Sequence, residues 1–291
     1  MIAETTLGAL ASLGAAMAWA VTSLLARSLM PELGSVAINA IRSTIGGVLL
    51  VAWVLATAGV GAFTAISAGA WALLTLSIVI AIAIGDTVFF ESSRALGLGR
   101  AMTISTTYPV GAAAIAAVFL GEPITLPVAA GALVTLAGLV LIVAPWAERP
   151  PEERFWFGVG TAALAALAWA VSTVLVKPPL AEMDAVTAQA IRLPLAAAAL
   201  APWARSAPGA LALASRGARV RIAVLGVLTS VSSVMFVAGV KHAGVAVASV
   251  LSSTAPMFAI PLAVIFLGER LTSRALLGAA VTVAGIIVLH L

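Results

Sequence analysis

Two long stretches of this sequence contain no charged residue, one running from Arg42 to Asp86 and the other from Glu122 to Glu148. A helix that crosses a bilayer needs about 20 apolar residues, so each stretch can hold at least one complete crossing. Only 9% of the 291 residues are charged, whereas a soluble domain carries roughly 25%. The sequence therefore predicts an all-α polytopic membrane protein and excludes a soluble enzyme.

Apolar runs separated by polar connections divide the chain into ten predicted transmembrane spans. Most connections are short, and only the segments 148–154 and 205–219 are longer or more polar. The first of these is the predicted loop between two domains, residues 1–147 and 155–291, each with five spans. The predicted spans are residues 5–28, 35–58, 67–91, 101–120, 125–146, 156–177, 185–203, 219–240, 246–267 and 272–290.

The two halves repeat one another in sequence, at an offset of 150 residues that later falls to 147. Five is an odd number of crossings, so the second copy must enter the membrane from the opposite side. Inverted-topology repeats recur in secondary transporters, whose substrate site lies between the repeats near the midplane. Matched segments include Ala18-Trp19-Ala20-Val21 with Ala168-Trp169-Ala170-Val171, Ala40-Ile41-Arg42 with Ala190-Ile191-Arg192, and Phe119-Leu120-Gly121-Glu122 with Phe266-Leu267-Gly268-Glu269.

The repeated motifs resemble those of a known family. Each half has a tryptophan in its first helix, a proline in its fourth, the Phe-Leu-Gly-Glu block, and then two glycines seven residues apart. This pattern is similar to that of the EamA-type exporters of the drug/metabolite transporter superfamily, and most similar to the YddG group of amino-acid exporters. The resemblance covers both halves and implies ten helices, inverted repeats, a central cavity and export of small metabolites.

The basic residues predict an orientation in the bacterial inner membrane. Twelve of the fifteen lie in or beside the connections on one side of the predicted bundle. Because basic residues concentrate on the cytoplasmic side, both termini are predicted to face outwards. The twelve are Arg27, Arg42, Arg94, Arg100, Arg149, Arg154, Arg205, Arg216, Arg219, Arg221, Arg270 and Arg274, and the other three are Lys177, Arg192 and Lys241.

Asp86 is the carboxylate that lies deepest in a predicted span. A carboxylate at the membrane centre costs about 2.5–3.5 kcal/mol on insertion scales, so it should face a cavity or a partner. One interpretation is that Asp86 contacts a substrate amino group or a coupled proton. The other is a packing carboxylate that snorkels or pairs with Arg94, although Arg94 can also pair with Glu91 one turn away.

Arg42 and Arg192 are repeat counterparts that lie one or two turns inside the second and seventh spans. Long arginine side chains near helix ends usually extend to the membrane interface, and this snorkelling is the favoured interpretation. The alternative is a gate residue or a docking point for a substrate carboxylate.

Aromatic, hydroxyl and proline residues predict a polar cavity between the halves. Trp19 and Trp169 lie in mid-span, where each indole N–H needs a partner. Pro109 and Pro256 lie in hydroxyl-rich spans, and a proline there frees a carbonyl that neighbours or water must satisfy, which predicts kinked helices. The predicted substrate-contacting residues are Trp19, Asp86, Phe90, Ser105, Tyr108, Trp169 and Ser252.

The glycines of the repeats have structural interpretations. In Gly121-Glu122 and Gly268-Glu269, the glycine would end one helix and the carboxylate would favour the N-terminus of the next. The glycine pair of each last helix, at 131 and 138 and at 278 and 285, permits close packing. These fifth and tenth helices are therefore predicted to serve as scaffold or as a homodimer contact.

Several functional classes are excluded by what the sequence lacks. It has no cysteine, only His242 and His290 as histidines, and no Gly-Lys-Ser/Thr motif. No metal site, cofactor, catalytic constellation or ATP hydrolysis is therefore predicted. Nucleic acid is not a predicted partner either, because the net charge is only +4 and the basic residues lie at helix ends.

The predicted function is secondary transport, with a small molecule as substrate and the lipid bilayer as surroundings. Amino acids are the favoured substrates, exported by alternating access around the central cavity. An organic-phosphate, nucleotide-sugar or drug exchanger of the same fold is the first alternative. A channel or a membrane scaffold is the alternative from another class.

Overall fold

The computed structural model describes residues 2–119, 125–143, 152–205, 207–269 and 272–288, and within these ranges every regular element is helical. The helices are α1 (Ile2–Leu33), α2 (Ser35–Thr57), α3 (Gly61–Thr64), α4 (Ala68–Ile78), α5 (Thr87–Leu96), α6 (Leu98–Ser105), α7 (Tyr108–Phe119), α8 (Leu126–Val143), α9 (Glu152–Val176), α10 (Ala185–Leu200), α11 (Ala207–Leu213), α12 (Arg216–Ser252), α13 (Ala255–Leu267) and α14 (Ser273–Val288), with a π-helix over Val79–Asp86 and a 3-10 helix over Pro178–Ala181.

Within the described part of the chain, six helical stretches are long and apolar enough to cross a membrane, and shorter apolar helices accompany them. The outer surface carries large exposed apolar side chains, among them Trp53, Leu133 and Phe266. Such a surface suits a bilayer and not water. The chain is therefore a polytopic membrane protein. The six stretches are Glu4–Leu33, Ser35–Thr57, Ala68–Leu96, Arg154–Ala181, Arg216–Val245 and Val247–Leu267.

The two halves fold as repeats that share irregular features as well as helices. Gly97 separates α5 from α6 with φ 87° and ψ 158°. Its counterpart Gly244 has φ 86° and ψ 163°, and produces a kink inside α12. A positive φ of this size is readily adopted only by glycine. The eighth predicted span is thus the part of α12 before Gly244, and the ninth comprises the rest of α12 together with α13.

The last helices of the repeats, α8 and α14, show that the repeats are inverted. Gly138 lies against Thr282, and Gly285 lies against Thr135. Residue numbers rise along α8 as they fall along α14, so these equivalent helices run antiparallel. Gly138 is the repeat counterpart of Gly285, and Thr135 is that of Thr282. Each contact is therefore the counterpart of the other, as a two-fold relation requires. Two equivalent helices with opposite directions place the two repeats in opposite topologies.

The same contacts explain why glycines recur in α8 and α14. A Cβ built on Gly138 or on Gly285 would collide with backbone atoms of the facing helix. The glycines therefore permit close packing between the two helices, which is the scaffold role. A homodimer contact through these helices stays a prediction, and it would have to use faces other than the glycine faces.

The first span of each repeat packs against the third span of the other. The Glu32 carboxylate at the end of α1 accepts a hydrogen bond of 2.9 Å from the Ser215 N–H at the start of α12. Symmetrically, Glu182 after α9 accepts one of 2.9 Å from the Ser67 N–H at the start of α4. The repeats are consequently interlocked along their length, and the space enclosed between them lies at the middle of the bundle.

In the second Phe-Leu-Gly-Glu block the glycine ends its helix as the sequence predicts, because Gly268 adopts the left-handed conformation after α13 with φ 66°. The glutamate has a different role from the predicted one. Glu269 accepts hydrogen bonds from the N–H groups of Leu98 at 2.6 Å and Gly99 at 3.3 Å. It therefore satisfies free N–H groups at the start of α6, in the other repeat, and α14 is capped by Thr272 at 3.2 Å instead. The counterpart Gly121-Glu122 and residues 148–151 of the connecting loop lie outside the described residues.

Candidate functional site

A cavity lies between the two repeats and encloses about 870 Å³ of empty space, its opening included. Several of its lining residues are repeat counterparts, such as Trp19 with Trp169 and Arg42 with Arg192. The described residues that line it are Trp19, Thr22, Ser23, Arg42, Ile78, Ala81, Ile82, Asp86, Phe89, Phe90, Met102, Tyr108, Trp169, Ser172, Thr173, Gln189, Arg192, Thr229, Ser232, Ser233 and Phe236.

Asp86 is held at the cavity by two strong contacts. Its Oδ2 forms an ion pair with the Arg42 guanidinium, and the two side chains are 8% (Arg42) and 19% (Asp86) exposed. Its Oδ1 accepts a hydrogen bond of 2.8 Å from Nε1 of Trp169, in the other repeat. Hydrogen bonds to a charged group are about twice as strong as neutral ones. The negative charge of Asp86 is therefore satisfied by the protein itself.

The Arg42 side chain is oriented by its neighbours on three sides. Its Nε donates to Oδ1 of Asn39 at 2.9 Å, and its guanidinium lies 5.1 Å from the centre of the Phe90 ring. Nη1 reaches Oγ1 of Thr229 in the other repeat at 3.5 Å. A guanidinium over an aromatic face is attracted by the ring. Arg42 thus fixes the position of Asp86 and links the repeats.

The π-helix that ends at Asp86 contributes to this arrangement. Asn39 Nδ2 donates to the carbonyl of Ile82 at 2.6 Å, inside the π-helix, and to Thr87 Oγ1 at 2.8 Å. A π-helix spaces its hydrogen bonds one residue further apart than an α-helix, and such segments are frequent at functional sites. Asn39 therefore connects α2 to the irregular segment that presents Asp86.

Aromatic rings form the apolar wall of the cavity. The rings of Trp19 and Trp169 are stacked, with centroids 6.4 Å apart and planes 24° apart. Phe236 lies 5.0 Å from Trp19, and Phe89 lies 5.5 Å from Trp169. Tyr108 meets Trp169 edge-on at 6.4 Å. Stacked and edge-on rings at these distances suit an apolar part of a ligand placed beside them.

The second repeat presents Arg192 in a different environment. The residue is only 4% exposed, and Nη2 donates to Oγ of Ser172 at 3.1 Å. Its Nε has no hydrogen-bond partner among the described residues, and neither has Oε1 of Gln189. Where Asp86 stands in the first repeat, the second repeat has Ser233. The cavity therefore contains a buried cation without a carboxylate of its own repeat.

Five of the seven predicted substrate-contacting residues lie at the cavity, namely Trp19, Asp86, Phe90, Tyr108 and Trp169. Ser105 and Ser252 do not. Ser105 donates to the carbonyl of Ala162 at 3.2 Å. Ser252 donates to the carbonyl of Ala248 at 2.7 Å and lies 2.8 Å from the Tyr108 hydroxyl. Both hydroxyls are thus used between helices, behind the cavity wall.

The predicted position of the arginines at the membrane interface is wrong. Arg42 and Arg192 are 7% and 4% exposed and both line the cavity, because polar partners hold their guanidinium groups inside the bundle. The predicted Arg94 partner of Asp86 is also wrong, since Arg94 pairs with Glu91 at 3.3 Å. An amide three residues before each arginine, Asn39 or Gln189, is the one sequence signal for these buried positions.

The two repeat-related prolines interrupt their spans instead of bending a continuous helix. α6 ends at Ser105 and α7 begins at Tyr108, so Pro109 falls in the first turn of α7. Pro256 has the same position in α13. A proline in the first turn removes no helical hydrogen bond. Neither proline lines the cavity.

Inverted repeats of membrane-spanning helices around a central cavity are a recurrent architecture of membrane transporters. The sequence model of the EamA-like transporter family matches residues 6–144 and again residues 156–291. The chain therefore belongs to this family, one copy of which forms each repeat.

The fold is also similar to that of a solved crystal structure. The alignment has a TM-score of 0.68 at 21% sequence identity, and covers 97% of this chain and 94% of that one. At this identity the likeness shows the fold alone. No curated protein matches the sequence. The finer resemblance to the YddG group of amino-acid exporters stays a prediction.

Proposed function

We propose that this protein exports small metabolites, amino acids foremost, across the bacterial inner membrane by alternating access around the cavity between the repeats. Family membership supports transport. The observation that carries the proposal is the combination, in one cavity, of stacked aromatic rings with two buried arginines and a carboxylate. An amino acid needs both kinds of wall, because it joins an apolar side chain to charged groups.

The contacts at the two ends of the bundle support alternating access. Glu32 with Ser215, and Glu182 with Ser67, are repeat-related contacts between a first span and a third span. Because the repeats are inverted, these contacts lie on opposite sides of the membrane. Releasing one while keeping the other would open the cavity to one side only, which is what alternating access requires.

The basic residues support an orientation with both termini outside. Arg42 and Arg192 are buried in the cavity and no longer count towards either side. The bias of the remaining residues is eleven to two, which by the positive-inside rule places the larger group in the cytoplasm. A reporter enzyme fused after Leu291 tests this orientation, and a cytoplasmic signal there would overturn it.

Counterflow in proteoliposomes tests the transport function. Proteoliposomes that contain the purified protein and are preloaded with an unlabelled amino acid should accumulate the same amino acid in labelled form. Proteoliposomes preloaded with organic phosphates or cationic drugs should not accumulate the corresponding labelled compounds. Trp169→Ala should lower the exchange rate strongly while the protein still inserts and remains monodisperse. Trp53→Ala is the matched control, because Trp53 is 62% exposed on the outer surface. Exchange of phosphates or cations without amino acids would contradict the proposed substrate class.

A further inference from the structure

The charges at the cavity do not cancel. Among the described lining residues the charged side chains are Arg42, Asp86 and Arg192. Arg42 and Asp86 neutralise one another as an ion pair. One positive charge, on Arg192, remains in the interior of a membrane protein. An unpaired charge at this depth is costly and indicates a site of interaction, so a compensating group is expected from the cavity itself.

The repeat relation locates the missing group. In the first repeat, Arg42 Nε donates to Oδ1 of Asn39, and the guanidinium pairs with Asp86. In the second repeat, Nε of Arg192 and Oε1 of Gln189 both lack partners, and the position of the aspartate is taken by Ser233. A carboxylate therefore lies beside Arg42, whereas the equivalent position beside Arg192 has none.

We infer that Arg192 binds the carboxylate of an incoming ligand, and that the ligand is a small monocarboxylate whose apolar part packs on the Trp19, Trp169 and Phe236 rings. Arginine presents donors in a planar fork that matches a carboxylate. Ser172, which binds Nη2 of Arg192 at 3.1 Å, lies one helical turn after Trp169. The cation and the aromatic wall are thus neighbours on α9 and α10.

The same geometry assigns a lesser role to a ligand's amino group. The two carboxylate oxygens of Asp86 are engaged by Arg42 and by the Trp169 indole. A ligand ammonium group would have to displace one of these contacts to reach Asp86. The carboxylate is therefore the recognised group, and a carboxylic acid without an amino group should bind about as well as the corresponding amino acid. This inference rests on the proposed export of amino acids, and it specifies which group of the substrate the cavity recognises.

Thermal shift of the purified protein in detergent tests binding separately from transport. The probes are phenylalanine, 3-phenylpropionate, phenethylamine and phenyl phosphate at equal concentrations and neutral pH. We expect the first two to raise the melting temperature and the amine to leave it unchanged. Phenyl phosphate should raise it less than the carboxylates do, because it carries close to two negative charges at neutral pH, whereas the ion pair of Arg42 with Asp86 leaves one positive charge among the described lining residues. Stabilisation by phenethylamine without 3-phenylpropionate, or by phenyl phosphate alone, would overturn the carboxylate assignment.

Two substitutions at the cavity distinguish docking from a structural role. Arg192→Met should weaken 3-phenylpropionate binding about tenfold or more, because a hydrogen-bonded charge pair is lost, whereas Arg192→Lys should retain part of it. Ser233→Asp supplies the second repeat with the carboxylate that it lacks. It should abolish binding of added carboxylates while raising the melting temperature of the unliganded protein.

The matched control is Arg94→Met, since Arg94 is 49% exposed and pairs with Glu91 away from the cavity. It should bind 3-phenylpropionate as the unmodified protein does. If Arg192→Met and Ser233→Asp both bind as the unmodified protein, carboxylate docking at Arg192 is wrong. If carboxylates bind through Arg192 but no amino acid exchanges in counterflow, the binding site stands and the proposed transport function fails.

Discussion

Arg42 and Arg192 occupy equivalent positions in two inverted copies of one fold, yet their surroundings differ. Arg42 has a carboxylate, an amide and an aromatic ring around it. Among the described residues, Arg192 has one serine hydroxyl as a hydrogen-bond partner, and its Nε has none. The difference follows from the residue at the end of the π-helix, Asp86, and its counterpart Ser233. The scaffold of this protein is symmetric, but the chemistry of its cavity is not.

This asymmetry divides two tasks between the repeats. An internal ion pair with a bridging indole stabilises the contact between the repeats, because Trp169 and Asp86 belong to different halves. A cation without a carboxylate of its own repeat leaves a binding position for a ligand. If both repeats had an aspartate, the cavity would be electrically satisfied without substrate. If both had a serine, two unpaired cations would repel one another.

The largest expected effect concerns the stability of the two arginine variants. Arg42→Met leaves Asp86 buried without its cation, and removing one partner of a buried pair typically costs about 3–5 kcal/mol. Arg192→Met removes a buried cation that has no carboxylate partner in its own repeat, and should leave the melting temperature unchanged or raise it. Tryptophan fluorescence during heating in detergent measures both.

A double substitution provides the control for this comparison. Arg42→Met combined with Asp86→Asn removes both charges, and should recover much of the stability lost in Arg42→Met alone. Equal losses for Arg42→Met and Arg192→Met, or no recovery in the double variant, would mean that the two arginines are not in different electrostatic environments.

The second effect compares the two central tryptophans. Trp169→Phe keeps an aromatic ring but removes the hydrogen bond from Nε1 to Asp86, and a hydrogen bond to a charged group contributes about 1.5–3 kcal/mol. Trp19→Phe is the matched change, because the described residues include no hydrogen-bond acceptor for its indole. We expect the unfolding midpoint of Trp169→Phe to fall well below that of Trp19→Phe. Equal midpoints would show that the bond to Asp86 adds nothing to stability.

Sequence reasoning identifies the repeats, the span order and Trp19, Asp86 and Trp169 at the cavity, because each depends on local pattern and on the repeat. It misses the partner of Asp86. Arg94 lies two turns further along the same chain segment, so a local argument favours it, whereas Arg42 lies on another helix and only the tertiary fold brings it close.

The hydroxyls illustrate a second limit of the sequence. Ser105 and Ser252 lie in spans rich in serine and threonine, and any of these side chains could face the cavity. The rotation of α6 and of the end of α12 directs both towards other helices, where Ser105 binds the carbonyl of Ala162 and Ser252 meets the Tyr108 hydroxyl. That rotation depends on the turns at Gly97 and Gly244, whose dihedral angles no hydrophobic pattern encodes.

A third and smaller effect concerns the space beside Trp169. A Cβ built on Gly85 would lie 2.9 Å from Nε1 of Trp169 and 3.2 Å from Cβ of Ala168. Gly85→Ala must therefore displace the indole and weaken its bond to Asp86, with a loss of about 1–3 kcal/mol. The counterpart position already carries a side chain, Ser232, so Ser232→Ala is the control and should change the melting temperature little. A fully stable Gly85→Ala protein would mean that the Trp169 indole can move without loss.

The smallest effect concerns the two ends of the bundle, where the same glutamate–serine contact recurs, although at one end Glu32 also pairs with Arg221 at 3.2 Å. Glu182 accepts hydrogen bonds from the N–H and the hydroxyl of Ser67, and these hold the pKa of Glu182 below its usual value. The carboxylate is therefore ionised at neutral pH, and the contact is lost only as the pH falls through that lowered pKa. Glu32 makes the equivalent contact with Ser215 on the opposite side.

Neutral substitutions should bias the protein towards opposite states. Because these carboxylates are exposed, each contributes little to the stability of its contact. Glu182→Gln should therefore change the equilibrium between the states open to the two sides of the membrane by at most about fivefold. Glu32→Gln should shift the same equilibrium in the opposite direction. The protein has no native cysteine, so Ser23→Cys at the cavity can report accessibility to a membrane-impermeant maleimide added to right-side-out or inverted vesicles. Labelling that shifts to the same side in both variants would contradict alternation between the repeat-related contacts. Opposite shifts would show that these contacts at the two ends gate the cavity, whereas the selectivity of the cavity comes from its asymmetric centre.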